Sequence, residues 1–203
     1  MTKVKICGLM EPEHVQAAVQ AGADAIGFVF APSRRRITLK QAKQLARLVP
    51  EDVMKIGVFV NPSPEEVMQA YHEVPLDFIQ YHGNESLDFI KSIGLPSIKV
   101  VSMHSEKDNG RIQSCNTQFV LVDTPGIEYN GGTGKVFDWS LLEGDLPRHQ
   151  LILAGGLTVG NVQEAIRQIR PAMVDVSSGV ERNNRKDEAL IRAFIRAVKE
   201  EER

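Results

Sequence analysis

Short apolar runs recur along the chain at Val4 to Cys7, Ala25 to Phe30, Lys55 to Val60, Phe78 to Tyr81, Ile98 to Val101, Phe119 to Asp123, Leu151 to Ala154 and Met173 to Ser177. Runs of this length, rich in Val, Ile and Phe and bounded by Gly, Pro, Asn or Asp, read as buried β-strands. Between them the apolar positions shift to a helical period, as at Glu13 to Ala21, Leu39 to Leu48, Pro64 to Val74, Asn161 to Ile169 and Glu188 to Val198. Strand followed by helix, eight times over, predicts α/β architecture with a parallel sheet closed into a single (β/α)8 TIM barrel of eight strands. Eight units in 203 residues leave about 25 residues each, near the lower limit for this fold, so residues 1–203 form one barrel domain without a linker. Punctuation supports the register: in Asn61-Pro62-Ser63-Pro64-Glu65-Glu66, Ser63 can cap a helix, Pro64 fits its first turn and Glu66 can close a capping box. The fifth crossover, after Ser102, and the sixth, around Asp138 to Leu142, read as short and weakly periodic. Lys199 to Arg203 reads as a frayed, solvated helix end.

Composition narrows the partners. With 42% hydrophobic residues, 25% charged residues and a formal net charge of -2, the chain has the profile of a soluble globular protein. Its pI of about 6.2 offers no basic stripe for nucleic acid, so an anionic ligand has to be held by local groups, and a small molecule is the expected partner. The opening Met1-Thr2-Lys3-Val4-Lys5-Ile6-Cys7 is too short and polar for a signal sequence. No apolar run reaches membrane-spanning length, so a cytoplasmic protein without a membrane partner is expected, as monomer or homodimer. Cys7 and Cys115 are far apart and outside any CxxC spacing. The five histidines, His14, His72, His82, His104 and His149, lack HxH or HExxH spacing, so neither a disulfide framework nor a metal site is indicated.

Two late glycine turns carry the strongest local signal. Ala154-Gly155-Gly156-Leu157-Thr158 and Ser177-Ser178-Gly179-Val180-Glu181 each close an apolar run, one helix-length apart. Successive strand ends that expose backbone N–H groups ahead of helix starts suit one phosphate, and in this barrel the last two loops commonly supply that site. Gly131-Gly132-Thr133-Gly134-Lys135 resembles a nucleotide loop only superficially: Tyr129 stands where a P-loop needs its first glycine, and Val136 follows the lysine. Phe137 likewise occupies the third glycine position of a dinucleotide fingerprint. This loop reads either as a surface turn or as a lid over the barrel mouth.

Residues at the C-terminal strand ends face the mouth of such a barrel, and here they are Cys7, Gln80, His82 and Asp123. Strand alternation places Lys3, Lys5 and Cys7 on one face, as it does Phe78, Gln80 and His82, and Phe119, Leu121 and Asp123. A thiol there can act as a base if neighbouring cations lower its pKa, with Lys5 one candidate; the alternative, commoner for a lone cysteine, is a small buried apolar residue. Asp123 can cap the turn that follows it, or donate a proton from a partly desolvated carboxyl. Gln80 and His82 can orient substrate hydroxyls or satisfy loop carbonyls. Arg34-Arg35-Arg36 is either a solvated face or the source of a guanidinium that grips a carboxylate.

Taken in order, Lys5-Ile6-Cys7-Gly8, Gly22 to Phe30, Gly57-Val58-Phe59-Val60-Asn61, Gln80-Tyr81-His82-Gly83, Leu121-Val122-Asp123, Gly131-Gly132-Thr133-Gly134 with Phe137-Asp138-Trp139, Ala154 to Leu157 and Asp175 to Glu181 closely resemble the phosphoribosylanthranilate isomerase family of tryptophan biosynthesis. The resemblance spans essentially the whole chain. It implies a (β/α)8 barrel and an Amadori rearrangement of N-(5-phosphoribosyl)anthranilate to 1-(2-carboxyphenylamino)-1-deoxyribulose 5-phosphate, with no cofactor and no metal. It further implies Asp123 as general acid at the furanose ring oxygen and Cys7 as the base at ribose C2. The phosphate would rest on Gly155, Gly156, Ser177, Ser178 and Gly179. Arg35 matches the carboxylate-holding arginine, although three adjacent arginines leave a one-residue ambiguity, and Gln80, His82 and Gly132 fall on the substrate side. Two rivals share the glycine turns. A metal-dependent phosphopentose epimerase would show ligand residues at several strand ends, and a non-catalytic phospholigand sensor would lack the acid or the base.

Overall fold

The computed structural model describes residues 1–123, 138–142, 144 and 146–201. Eight parallel strands close on themselves in sequence order: β1 (Lys3–Cys7), β2 (Ala25–Val29), β3 (Met54–Phe59), β4 (Phe78–Tyr81), β5 (Ser97–Ser102), β6 (Phe119–Asp123), β7 (Leu151–Leu153) and β8 (Met173–Val176). Seven α-helices are present among the described residues: α1 (Pro12–Ala21), α2 (Leu39–Ala46), α3 (Pro64–Glu73), α4 (Leu87–Ile93), α5 (Asn109–Ser114), α6 (Val162–Ile169) and α7 (Glu188–Glu201). Barrel closure joins β1 to β8 with Lys5 opposite Asp175, residues 170 positions apart in the chain.

The two faces of each strand explain the pattern. Ala25, Ile56, Ile98, Val100, Leu121, Ile152 and Met173 point inward and fill the barrel, whereas Val4, Ile6, Ile26, Phe28, Ile79, Val120, Val122 and Val174 join the layer beneath the helices. A strand buried on both faces reads as a continuous apolar run, which is why the runs were recognisable while their facing was set only by parity. Helix starts follow local chemistry: Thr38 with Gln41, and Ser63 with Glu66, form complete capping boxes ahead of α2 and α3.

Boundaries differ from expectation in instructive places. Val60 lies beyond β3, Ala154 beyond β7 and Ser177 beyond β8, because the strand pairing ends there and the chain turns into the mouth loops. The α2 helix stops at Ala46, short of Leu48. The last helix continues through Lys199 to Glu201, where the sequence predicts a frayed end: Lys199 Nζ donates to Asp24 Oδ2 at 3.0 Å, and Glu201 pairs with Arg167 at 2.8 Å; Glu202 and Arg203 lie outside the described residues. The fifth crossover is indeed short, with a single 3-10 turn (Glu106–Asp108) before α5. For the sixth, the described residues hold 3-10 turns at Trp139–Leu142 and Arg148–Gln150 and no α-helix. Between β8 and α7 stands an unanticipated hairpin, β9 (Glu181–Arg182) and β10 (Arg185–Lys186), turned by Asn183 and Asn184 at φ 51° and 62°. Two consecutive left-handed residues match the twist of a tight hairpin, and asparagine tolerates that conformation. No described helix is long and apolar enough to cross a membrane.

Candidate active site

One cavity of about 430 Å³ opens at the C-terminal ends of the strands, and Cys7, Arg35, Gln80, His82, Asp123 and both glycine turns line it. Gly132 and the Gly131–Gly134 loop lie outside the described residues. Among the described residues no three His, Cys, Asp or Glu side chains cluster as metal ligands.

Cys7 ends β1 directly beside Gly27 of β2, where a Cβ would stand 2.7 Å from the thiol sulfur; the missing side chain is what leaves room for the thiol. Lys5, fully buried two residues earlier, donates from Nζ to Asp175 Oδ1 at 3.0 Å. The sequence leaves open whether Lys5 lowers the thiol pKa; in the structure the pull of Lys5 is outweighed. Burial pushes Cys7 up most strongly and Asp175 adds to that, while Lys5 and Lys186 pull the other way without prevailing. Asp175 takes much of Lys5's charge, a pairing across the barrel closure that local sequence does not display.

Asp123 sits on a connected polar wall. His82 Nε2 lies 3.4 Å from Asp123 Oδ2, and Gln80 Nε2 lies 3.3 Å from His82 Nδ1. In the tautomer with its proton on Nε2, the imidazole accepts from the Gln80 amide at Nδ1 and turns its N–H toward Asp123. Gln80 Oε1 is buried in the cavity wall and has no hydrogen-bond partner among the described residues. The loop carrying His82 is pinned: Glu85 accepts from Asn61 N at 2.7 Å and from Gly83 N at 3.0 Å, with Lys99 Nζ as its buried counter-ion at 2.9 Å.

The arginine run resolves into one inward and two outward side chains. Ser33 Oγ accepts from Arg35 N at 3.1 Å and Ser33 O from Arg36 N at 3.0 Å, a turn that leaves Arg34 and Arg36 exposed and buries Arg35. Arg35 lies over Gly8, where a Cβ would meet its Cδ at 2.6 Å. Its Nε and Nη2 donate to Glu181 Oε1 and Oε2 at 2.6 and 3.0 Å, a bidentate pair. Burial works to raise the pKa of Glu181, but the Arg35 hydrogen bonds and the Lys186 charge outweigh it and bring the carboxyl down to about 2. A depressed folded-state pKa contributes stability that is complete above the ordinary carboxylate value and is lost as pH falls toward 2, at up to about 1.4 kcal/mol per pH unit. Thermal unfolding of Glu181→Gln should therefore depend less steeply on pH between 4.5 and 2 than that of the parent. Equal slopes would show that the carboxylate is not held by these cations.

The two turns pack backbone to backbone. Gly155 and Gly156 adopt φ 84° and 66°, and a Cβ on Gly179 would stand 1.8 Å from Leu157 O, so no other residue fits there. Asn161 braces the first turn through Thr158 N and Gly156 O at 2.8 and 3.0 Å. Ser177 Oγ donates to Cys7 O at 3.2 Å, which fastens the second turn to the end of β1. Sequence reasoning passed over Asp175 and Glu181 as site residues because their partners Lys5 and Arg35 lie 170 and 146 positions away in the chain; it also passed over Lys186, and His104 and Arg111 on the cavity wall, which stand outside any motif. The Asn183-Asn184 pair was the one local signal for the hairpin that delivers Lys186.

A closed (β/α)8 barrel whose mouth gathers a thiol, a carboxyl beside an imidazole, a buried guanidinium and a glycine cradle is the site of an enzyme for a small anionic molecule. Residues 4–197 match the family described as N-(5'phosphoribosyl)anthranilate (PRA) isomerase. An N-(5'-phosphoribosyl)anthranilate isomerase of Bacillus cereus is 47% identical over 201 residues, covering 98% of each chain. The crystal structure of the Thermotoga maritima phosphoribosyl anthranilate isomerase superposes with a TM-score of 0.89 at 41% identity, over 98% of this chain and 100% of that one. A further isomerase structure, in complex with reduced 1-(o-carboxyphenylamino)-1-deoxyribulose 5-phosphate, gives a TM-score of 0.86 at 37% identity, over 98% of this chain and all of the other. The chain belongs to the phosphoribosylanthranilate isomerase family.

Proposed function

We infer that this chain is the aldose–ketose isomerase of tryptophan biosynthesis that converts N-(5-phosphoribosyl)anthranilate to 1-(2-carboxyphenylamino)-1-deoxyribulose 5-phosphate. The observation that carries the reading is the convergence of Cys7, Asp123, Arg35 and the paired glycine turns on one cavity in a chain of this family. The substrate has two anionic ends, and the cavity has two matching features. The phosphate is assigned to the backbone of Gly155, Gly156, Ser177, Ser178 and Gly179, and the ring carboxylate to Arg35. Glu181 takes the Nε/Nη2 edge of the guanidinium and fixes its plane, and the substrate carboxylate is assigned to the same guanidinium.

In this reading Asp123 gives its proton to the furanose oxygen as the C1–O bond breaks, leaving an iminium at C1. Cys7 removes the proton at C2, and the electron pair moves toward the iminium nitrogen to form an enolamine. The enolamine gains a proton at C1 and loses its C2 hydroxyl proton, yielding the ketone with no net oxidation. The substrate's own nitrogen is the electron sink, so the chemistry asks for no cofactor. Gln80 Oε1, a buried acceptor without a partner among the described residues, is assigned to a substrate hydroxyl.

The test is conversion of phosphoribosylanthranilate by the folded protein in the presence of a chelator, followed by loss of substrate fluorescence. Turnover is expected; its absence overturns the reading. Arg35→Ala should raise KM about 10- to 100-fold with a smaller change in kcat, the range for losing a charge-assisted hydrogen-bonded pair. An unchanged KM would separate Arg35 from the carboxylate.

A further inference from the structure

Lys186 is the least expected charge in the molecule. It sits on β10, outside the barrel strands, and its side chain is only 2% exposed. Burial draws its pKa below the ordinary lysine range, with Glu181 opposing that trend. Its Nζ donates to Ser177 O at 2.8 Å, to Ser177 Oγ at 3.3 Å and to Glu181 Oε1 at 2.7 Å, an acceptor for each of its three protons. An apolar side chain of similar volume would avoid the desolvation cost of a buried ammonium, so stability alone does not explain the lysine.

The partners of Lys186 do explain it. Ser177 belongs to the phosphate turn, and Glu181 holds Arg35 bidentately. Arg34 also donates to Glu181 Oε2 at 3.0 Å, so three cations share one carboxylate. The chain Ser177–Lys186–Glu181–Arg35 is thus a continuous polar bridge, buried at Lys186, Glu181 and Arg35, from the group assigned to one end of the substrate to the group assigned to the other. No residue in the proposed reaction requires Lys186 to touch substrate.

We propose that Lys186 and Glu181 are positioning residues that fix Arg35 against the phosphate turn, so that the site gauges the span between the phosphate and the ring carboxylate of its ligand. The inference rests on the isomerase reading for the identity of that ligand. A guanidinium held by one bidentate carboxylate is set in plane and direction, and that carboxylate is set in turn by an ammonium tied to the phosphate loop. Without the ammonium, Glu181 and Arg35 keep their mutual attraction but lose their register with the turn. The ligand carboxylate then contributes less although nothing that touches it has changed.

The experiment uses two product analogues, the reduced 1-(2-carboxyphenylamino)-1-deoxyribulose 5-phosphate and the same molecule without the ring carboxylate, whose dissociation constants are compared in parent protein and Lys186→Met. In the parent, the carboxylate should improve affinity about 10- to 100-fold. In Lys186→Met that ratio should fall below about 5, while the analogue without the carboxylate loses at most a few-fold. A merely structural lysine would weaken both analogues alike, leaving the ratio unchanged, and that result overturns the proposal. A parent ratio near one overturns it as well. Should Lys186→Met fail to fold, Lys186→Gln, which retains a donor for Ser177 or Glu181, is read by the same ratio. Parent turnover is measured separately, so loss of the isomerase reading is distinguishable from loss of the bridge.

Discussion

Asp123→Asn is expected to lower kcat about 100- to 10,000-fold, the range for losing one positioned proton donor, while affinity for the reduced product analogue changes only a few-fold. The amide keeps the shape of the carboxyl and can still hydrogen-bond His82, whose Nε2 lies 3.4 Å away, so the substitution removes the transferable proton and little else. The first bond to break, between C1 and the ring oxygen, needs that proton because an alkoxide is a poor leaving group at neutral pH. Asp123 suits the task by location: it ends a strand whose preceding residues Val120, Leu121 and Val122 are fully buried, and its own side chain keeps 15% of its exposure. His82→Ala should cost less than Asp123→Asn, since the imidazole orients the carboxyl and does not carry the reaction's proton in this scheme. Turnover by Asp123→Asn within a few-fold of the parent, in protein of unchanged thermal stability, would remove it as the acid and direct attention to His82.

Much of this site is legible in the sequence because a (β/α)8 barrel converts a one-dimensional pattern into a placement. Cys7, Gln80, His82 and Asp123 were identifiable as mouth residues because each ends or follows an apolar run, and parity along β1, β4 and β6 decides which side chains face inward. The turns at Gly155–Gly156 and Ser177–Gly179 were legible for a related reason, since glycine at a strand end marks backbone geometry that other residues resist. What escaped was pairing across the closure. Lys5 meets Asp175 only because β1 closes against β8, and Arg35 meets Glu181 from 146 positions away. The thiol's environment escaped for the same reason: Lys5 was visible beside Cys7 in the chain, whereas burial and Asp175, which reverse its effect, are tertiary facts. Among Arg34, Arg35 and Arg36 the sequence offers no difference in chemistry; the Ser33 turn alone sends one inward.

Cys7→Ser should be disabled by about 100- to 10,000-fold in kcat, and Cys7→Ala similarly, because neither can present an anion of useful basicity to C2. The structure adds a pH signature. In the ligand-free protein burial and Asp175 hold the thiol above its ordinary pKa against the pull of Lys5 and Lys186, so the thiolate is a small minority at neutral pH. The base form is the anion, so kcat/KM of the parent should climb with pH through 7 to 9 without reaching a plateau, and iodoacetamide should alkylate Cys7 slowly at pH 7 and faster above 9. Scarcity of thiolate is offset in part by its strength, since a thiolate of high pKa is the better proton acceptor once formed. Lys5→Met probes the balance. Losing the cation leaves Asp175 uncompensated beside the thiol, so the rising limb should move to still higher pH and the rate at pH 7 should fall, with the fold checked by thermal unfolding. A kcat/KM profile that is flat from pH 6 to 9, with Cys7→Ser inactive, would mean that substrate binding or an earlier step masks the thiol. A flat profile with Cys7→Ser active would remove Cys7 as the base.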